Sequence, residues 1–319
     1  MLTGYILRRF IQAVFVVIIV TAIVFFTMRL MPGDPILIYL SREQAQNLSQ
    51  EQIEYTRHEF GLDKPIVVQY GEWVKRVVQG DLGYSLSDRM KISEILGERL
   101  PITLYLGVIS FVLGNIIGFL AGLVCAIRRG KVADLIVTLL ANFGITIPTF
   151  WLAIVMMYVI SLKLGWLPTH GFTWPSEDLW QSVKQTIMPV ICLSIFTVGA
   201  MARQTRSVML EVIRQDYVRT AYAKGLRERM VIVKHVLKNG LIPIITLAGM
   251  QVSGILGGSV IIETVFNISG MGRLAVNAIY SLDYSITQAV VLISALMIVI
   301  TNFLTDISYG WMDPRIRYN

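Results

Sequence analysis

Long apolar runs alternate with polar segments along the whole chain. There are six such runs, 16 to 28 residues long, and a helix that crosses a bilayer needs about 20 largely apolar residues, within a range of about 17–25. We therefore predict six transmembrane helices and an all-α polytopic membrane protein. The predicted spans are Phe10–Met28, Ile102–Ile127, Leu135–Leu162, Ile187–Ala202, Leu241–Ile262 and Ile286–Thr305.

Three of the predicted spans depart from a simple apolar helix. The third contains Pro148 and should be kinked there, because proline removes a helical hydrogen bond that neighbouring helices must replace. The fourth is short and carries Pro189, so its start is placed as early as Val183. The first follows Arg8 and Arg9 as a signal peptide would, but it is too long and lacks a small-residue cleavage site. We expect it to stay attached.

The composition agrees with a membrane protein. Apolar residues make up 55% of the chain and charged residues only 15%, whereas soluble domains have about 45–50% and about 25%. A soluble enzyme, a disordered tail and a disulfide-rich secreted module are excluded on this ground. The two cysteines, Cys125 and Cys192, lie inside apolar runs and are interpreted as small buried hydrophobic residues.

The distribution of charge predicts the orientation. With the N-terminus inside, the inside segments carry sixteen Lys/Arg against six Asp/Glu, and the outside segments carry twelve Lys/Arg against fifteen Asp/Glu. Lys and Arg are enriched in cytoplasmic loops, most clearly in short ones. We therefore predict that both termini are cytoplasmic.

Chemistry-bearing residues are scarce in the predicted spans. Their cores contain no Asp, Glu, Lys, Arg or His, although an ionisable residue at mid-membrane is costly and is usually kept for function. Proton-coupled transport, voltage sensing and intramembrane redox chemistry are therefore disfavoured. The three histidines, His58, His170 and His235, are predicted in loops, and there is no phosphate-binding loop motif. We predict a chain that is not an enzyme and has no catalytic or metal site.

The outside segment 29–101 is too long to be a simple connector. A capping-box pattern at Ser49 and Gln52 predicts a helix that ends at Gly61. A second helix is predicted between Val67 and Val78, where apolar residues recur at helical spacing, and it ends at Gly80. Ile92–Leu96 is a third short amphipathic stretch. Such amphipathic helices form either a structural lid or a docking surface for an external partner.

The predicted divisions of the chain are 1–28 (N-terminal tail and first helix), 29–101 (extracytoplasmic helical segment), 102–305 (core, with the inside loop 203–240) and 306–319 (C-terminal tail).

The inside loop between the fourth and fifth spans is strongly basic. Glu211–Ala223 is predicted to be helical, Gly225 to break the helix, and Arg227–Lys238 to resume it, which gives a helical hairpin. A basic loop can simply contact anionic lipid. However, Ala221, Ala223 and Gly225 form a face of small residues, which favours docking into a groove of a partner protein.

The fifth span is rich in glycine. Small residues let helix backbones approach closely, so helix packing is the favoured interpretation. Lining of a pathway for a polar cargo is the alternative. The residues are Gly249, Gly254, Gly257 and Gly258.

The stretch from Asp216 to Leu226 resembles the conserved cytoplasmic loop of ABC importer permeases, in the form used by the dipeptide/oligopeptide/nickel family. Arg219-Thr220-Ala221 replaces the general Glu-Ala-Ala, as is common in the peptide branch. Further family motifs follow one another over essentially the whole chain. They are Pro32-Gly33-Asp34-Pro35, Gly61-Leu62-Asp63-Lys64-Pro65, Gly80-Asp81-Leu82-Gly83, Ala202-Arg203-Gln204-Thr205-Arg206, Met209-Leu210-Glu211, Glu263-Thr264-Val265-Phe266, Gly270-Met271-Gly272 and Asp313-Pro314-Arg315-Ile316-Arg317.

The resemblance implies a type I ABC importer permease (MetI-like) fold with a helical extracytoplasmic insertion after the first span. It implies a bacterial or archaeal inner membrane, a second homologous permease, an extracytoplasmic substrate-binding protein and two cytoplasmic ATPase subunits. ATP and Mg would be bound by those ATPases, and no nucleic acid is involved. Peptides are the implied cargo, with nickel chelates, glutathione or oligosaccharides as alternatives. A passive channel, or a scaffold that recruits a cytosolic partner, is the rival class.

The resemblance also implies roles for particular residues. The inside loop would form a coupling helix seated in an ATPase cleft, and the outside loop after the fifth span would contact the binding protein. The implied coupling residues are Asp216, Tyr217, Arg219, Thr220, Ala221, Ala223, Lys224, Gly225, Leu226 and Arg229. The implied binding-protein contacts are Glu263, Phe266, Gly270 and Gly272.

Overall fold

The computed structural model describes residues 2–30, 63–85 and 87–312, together with Glu54, Tyr55 and His58. These residues are mostly helical. The α-helices are α1 Leu2–Leu30, α2 Ile66–Val78, α3 Ile92–Ile127, α4 Val132–Thr146, α5 Thr149–Met156, α6 Leu179–Ile213, α7 Asp216–Ala223, α8 Glu228–Met230, α9 Lys238–Val265, α10 Met271–Tyr280 and α11 Tyr284–Met312. Two π-helical segments extend them: Met157–Lys163 continues α5, and Val231–Leu237 joins α8 to α9.

The predicted number of spans agrees with these helices. Among the described residues, four helices are long and apolar enough to cross a membrane, and two bent helix pairs bring the number to six if each pair is one span. The predicted helix near Val67 is confirmed as α2. The predictions at Pro32–Pro35 and Asp313–Arg317 lie outside the described residues, and within Ser49–Gly61 the structure describes Glu54, Tyr55 and His58, all three as helical. The helix predicted to resume over Arg227–Lys238 is present as α8 and the second π-helical segment, which contains His235.

The third span is broken rather than kinked. Helix α4 ends at Thr146 and α5 begins at Thr149. The helix axis bends by 103° between them. Pro148 lies at the N-cap position of α5 with φ of −65° and ψ of 125°. Its ring fixes φ and its nitrogen has no hydrogen to donate, so the helical hydrogen bonds are interrupted here and a new helix starts.

Two other spans extend beyond their predicted limits. Helix α3 begins at Ile92 and accommodates Pro101 in its interior, so the start predicted at Ile102 was ten residues late. Helix α6 begins at Leu179, where the Asp178 carboxylate accepts a hydrogen bond of 2.9 Å from the Gln181 amide. That cap starts the helix earlier than apolar patterning indicated, because polar residues interrupt the apolar pattern at Gln181, Ser182, Lys184 and Gln185.

The chain divides into two compact units. The first comprises residues 1–9, 103–268 and 301–319, and its helices α3, α4 and α6 pack very closely. A Cβ atom placed on Gly122 of α3 would lie 2.4 Å from the carbonyl oxygen of Ala202 in α6, and one on Gly199 of α6 would lie 2.4 Å from that of Ala141 in α4. Only glycine permits these approaches. Gly114 and Gly118 continue the stripe along α3.

The second unit comprises residues 10–102 and 269–300. Its apolar core joins the start of α3 to α10 and α11, and α2 lies against the end of α1. There the ring of Phe25 is 5.4 Å from that of Tyr70 and 5.6 Å from that of Trp73, and the hydroxyl oxygens of Thr21 and Tyr70 are 2.9 Å apart. The core residues are Ile92, Ile95, Leu96, Met271, Ala278, Ile286, Ala289 and Val290.

A buried carboxylate anchors the loop before α3 within the second unit. Asp283 is fully buried, and its Oδ2 accepts hydrogen bonds from the hydroxyls of Ser85 and Ser87 at 2.7 and 3.1 Å and from the Ser87 amide at 3.1 Å. Its Oδ1 accepts from the Ile286 amide at 3.0 Å at the start of α11. The carboxylate therefore ties this loop to the last span.

Replacing Asp283 by Asn should lower the free energy of unfolding by about 1.5–3 kcal/mol, because hydrogen bonds to a buried charge are lost. The matched control is Asp178→Asn, where an exposed carboxylate caps a helix that Asn caps equally well. Thermal denaturation of both variants in the same detergent measures the difference. Equal melting temperatures for the two variants would show that the Asp283 charge is not needed.

Candidate functional site

The inside loop forms a helical hairpin, as the sequence predicted, but with a different first arm. Helix α6 ends at Ile213, and α7 is a separate helix of eight residues. Gln215 interrupts them with extended backbone at φ of −68° and ψ of 146°. Asp216 then opens α7, where a negative charge is favourable beside the helix N-terminus.

The turn of the hairpin is centred on Gly225. Its φ is +73°, a left-handed conformation that glycine adopts without strain. The Gly225 amide donates to the Tyr222 carbonyl at 2.9 Å, and the Leu226 amide donates to the Ala221 carbonyl at 3.4 Å. This is the Schellman pattern that ends helices. The predicted break at Gly225 is confirmed.

The inner face of α7 packs on the chain's own core. Val218 is fully buried and Ala221 is 4% exposed. The prediction that Ala221 faces a partner is therefore wrong, because α7 is amphipathic and Ala221 lies one turn after Val218 on its apolar side. The buried cluster comprises Ala126, Met201, Met209, Val218, Ala221, Val231, Val236 and Ile244.

The outer face of the hairpin is exposed. Tyr217 and Tyr222 are 42% and 45% exposed, and the Arg219 guanidinium lies 3.4 Å from the Asp216 carboxylate in an exposed ion pair. Tyrosine and arginine are enriched in protein interfaces. Leu226 is half-buried. The remaining predicted coupling residues are exposed: Thr220, Ala223, Lys224, Gly225 and Arg229.

An ion pair braces the helices from which the hairpin projects. Arg206 of α6 donates to the buried Asp134 carboxylate through two nitrogens, Nε to Oδ1 at 2.7 Å and Nη2 to Oδ2 at 3.0 Å. The Gly130 amide also donates to Oδ2 at 3.0 Å. Sequence reasoning missed this pair, because Asp134 lies just before a predicted span and its partner is 72 residues away.

The predicted contacts with a binding protein are buried, contrary to expectation. Glu263 is fully buried in the last turn of α9 and accepts a hydrogen bond from the Thr103 hydroxyl at 2.7 Å. Phe266, Gly270 and Gly272 are buried as well. Buried residues cannot form the surface of the outer loop, so these four support it from within.

The glycines predicted in the fifth span all lie in α9. Gly249 is half-buried. The surroundings of Gly254, Gly257 and Gly258 lie outside the described residues, so their role stays a prediction. In the part of the chain that the structure describes, no group of three or more His, Cys, Asp or Glu side chains is arranged to hold a metal ion.

These elements define a class: a multi-span helical membrane protein with a hairpin projecting from its helical core. Solved structures share the fold. The inward-facing MetNI methionine ABC transporter matches with a TM-score of 0.56 at 18% identity, over 69% of this chain and 96% of that one. An amino acid ABC transporter matches with a TM-score of 0.54 at 15% identity, over 68% and 94% of the two chains.

The chain belongs to the family of binding-protein-dependent transport system inner membrane components. The family signature matches residues 114–318, and that of its N-terminal region matches residues 1–107. The oligopeptide transport system permease protein AppB of Bacillus subtilis is 36% identical over 99% of this chain and all of its own. The glutathione transport system permease protein GsiC of Escherichia coli is 36% identical over 99% of both chains. The predicted family, fold and multi-pass membrane location are confirmed.

Proposed function

We propose that this chain is one of two permease subunits of an ATP-driven importer that carries peptides into the cell. An extracytoplasmic binding protein delivers the peptide, and two cytoplasmic ATPases, which bind ATP and Mg, drive transport. The full-length similarity to oligopeptide and glutathione permeases supports peptides, since glutathione is itself a peptide.

The hairpin carries the proposal. Its outer face offers Tyr217, Arg219 and Tyr222 to an ATPase, while Val218 and Ala221 on its inner face hold it against α6 and α9. A displacement of the hairpin by the ATPases is therefore passed to two spans at once. Biasing a two-state arrangement of these spans through a partner's ligand is sufficient for alternating access.

Copurification tests the proposal against its rival, a passive channel or scaffold. The chain is tagged, extracted gently from native membranes, and its partners are identified by mass spectrometry. We expect a second permease and one or two ATPases. Recovery of the chain alone, while a control transporter stays assembled, would favour the rival class.

Replacing Arg219 by Glu should weaken binding of the ATPases by about fivefold, because an exposed ion pair contributes up to about 1 kcal/mol. The loss should shrink as salt is raised, since exposed charges are screened. Association is measured by pull-down at low and high salt. The matched control is Arg129→Glu, which reverses an exposed charge in the predicted inside loop before α4. A salt-independent loss, or the same loss in the control, would contradict the proposed contact.

A further inference from the structure

A cavity of about 700 Å³ opens between α3, α4 and α6, within the first unit. This volume lies in the range of small-molecule sites, about 300–1,000 Å³. Its α6 wall includes the charged residues Arg203, Glu211 and Arg214 and the hydroxyl of Ser207, and its α4 wall includes Asn142. The cavity therefore combines a mainly apolar lining with these charged side chains on α6.

The cavity lies beside the contact between α3 and α6, and Cys125 of α3 and Ala202 of α6 both line it. Gly122 of α3 packs on Ala202 and Thr205 of α6, and residues at positions 203, 207, 211 and 214 lie on another face of that helix. The opposite side of α3 exposes large apolar residues, among them Ile116 and Leu120, at 50% and 53%. That apolar side suits lipid, whereas α3 contributes Cys125 to the lining of the cavity.

The charges in the cavity are available to a ligand. Arg206 is already paired with Asp134, but among the described residues no side chain is paired with the charged groups of Arg203, Glu211 or Arg214. The cavity therefore offers two free guanidinium groups and one free carboxylate. A ligand that carries both a carboxylate and an ammonium group would satisfy charges of both signs.

The spacing of these charges matches a short peptide. Arg203 and Glu211 are eight residues apart on α6, which is about 12 Å along the helix axis. An extended chain spans about 3.3–3.6 Å per residue, so the two ends of a tripeptide are about 10 Å apart. The flexible Arg and Glu side chains make up the difference between these two lengths.

We propose that this cavity is a peptide-binding site at the predicted cytoplasmic end of the permease, in which Arg203 binds the C-terminal carboxylate and Glu211 the N-terminal ammonium group. Asn142 of α4 lines the same space and can donate to or accept from the peptide backbone. The inference rests on the proposed function, because it takes a peptide as the cargo.

Protection of a cysteine placed in the cavity tests the inference. Ser207→Cys is introduced into the full chain with the two buried native cysteines replaced by alanine, and the protein is placed in phosphatidylcholine nanodiscs. We expect trialanine to slow maleimide labelling of this cysteine, and trialanine amide and N-acetyl-trialanine to do so much less. Arg203→Gln should raise the trialanine concentration for half-protection about tenfold, since a charge-assisted hydrogen bond is lost. Arg129→Gln should leave it unchanged.

Equal protection by trialanine and its amide, or none by either, would overturn the inference. So would slower labelling by phosphatidylglycerol in the nanodiscs with no effect of trialanine, because the site would then bind lipid. Uptake of radiolabelled trialanine by the assembled importer is measured separately. Intact uptake without protection refutes this site alone, whereas protection without uptake supports the site and counts against the transport function proposed above.

Discussion

Replacing Gly122 by Leu should prevent α3 and α6 from packing and should lower the free energy of unfolding by about 3 kcal/mol or more. A Cβ atom at this position would already lie 2.4 Å from the Ala202 carbonyl oxygen and 2.6 Å from the Thr205 Cβ. Backbone cannot move aside as a flexible side chain can, so the helices must separate. The expected observation is a melting temperature lower by at least about 5 °C in detergent, together with loss of peptide uptake.

Gly97→Leu is the matched control for this prediction. Gly97 lies in the same helix, is exposed, and has no atom within 4 Å of the added Cβ position. Its variant should melt within about a degree of the wild type, because surface substitutions usually change stability little. A Gly122→Leu protein as stable as Gly97→Leu would show that the close packing of α3 on α6 does not stabilise the chain.

The glycine stripe shows what sequence reasoning could reach and what it missed. The spacing of Gly114, Gly118 and Gly122 is the pattern by which membrane helices approach closely, and it is visible in the sequence. Close helix packing was predicted instead for the glycines of the fifth span. Periodicity marks a face that can be approached, but it does not identify the helix that approaches it.

The hairpin shows the same limit at the candidate site. The positive φ at Gly225 follows from its residue type, so its turn could be predicted. The inward position of Ala221 could not, because small residues suit both a partner's groove and the chain's own core. Which of these two surroundings Ala221 meets depends on how α7 is rotated about its own axis relative to α9, and tertiary packing sets that rotation. The pairing of Asp134 with Arg206 is equally a product of the fold, since nothing in the sequence joins two such distant residues.

Replacement of alanine by tryptophan should have different effects on stability at the inner and outer faces of α7. Ala221→Trp inserts an indole where the side chain is 4% exposed, among Met209, Val218 and Val231. Overpacking of this kind costs about 1–3 kcal/mol and occasionally more, and we expect it to unseat the hairpin from its core. Peptide uptake by the assembled importer should fall to background, and the melting temperature of the chain should drop.

Ala223→Trp is the matched substitution on the outer face, two residues along the same helix, where the side chain is exposed. Its melting temperature should stay at the wild-type value, because the indole meets no packed core. Binding of the ATPases should nevertheless weaken, since the added ring lies on the surface proposed to contact them. The two variants thus separate seating from docking: one loses stability, and the other loses its partner. If Ala223→Trp binds the ATPases and transports peptide as well as the wild type, the contact surface lies elsewhere on the chain; if Ala221→Trp melts unchanged, the hairpin does not depend on its inner face.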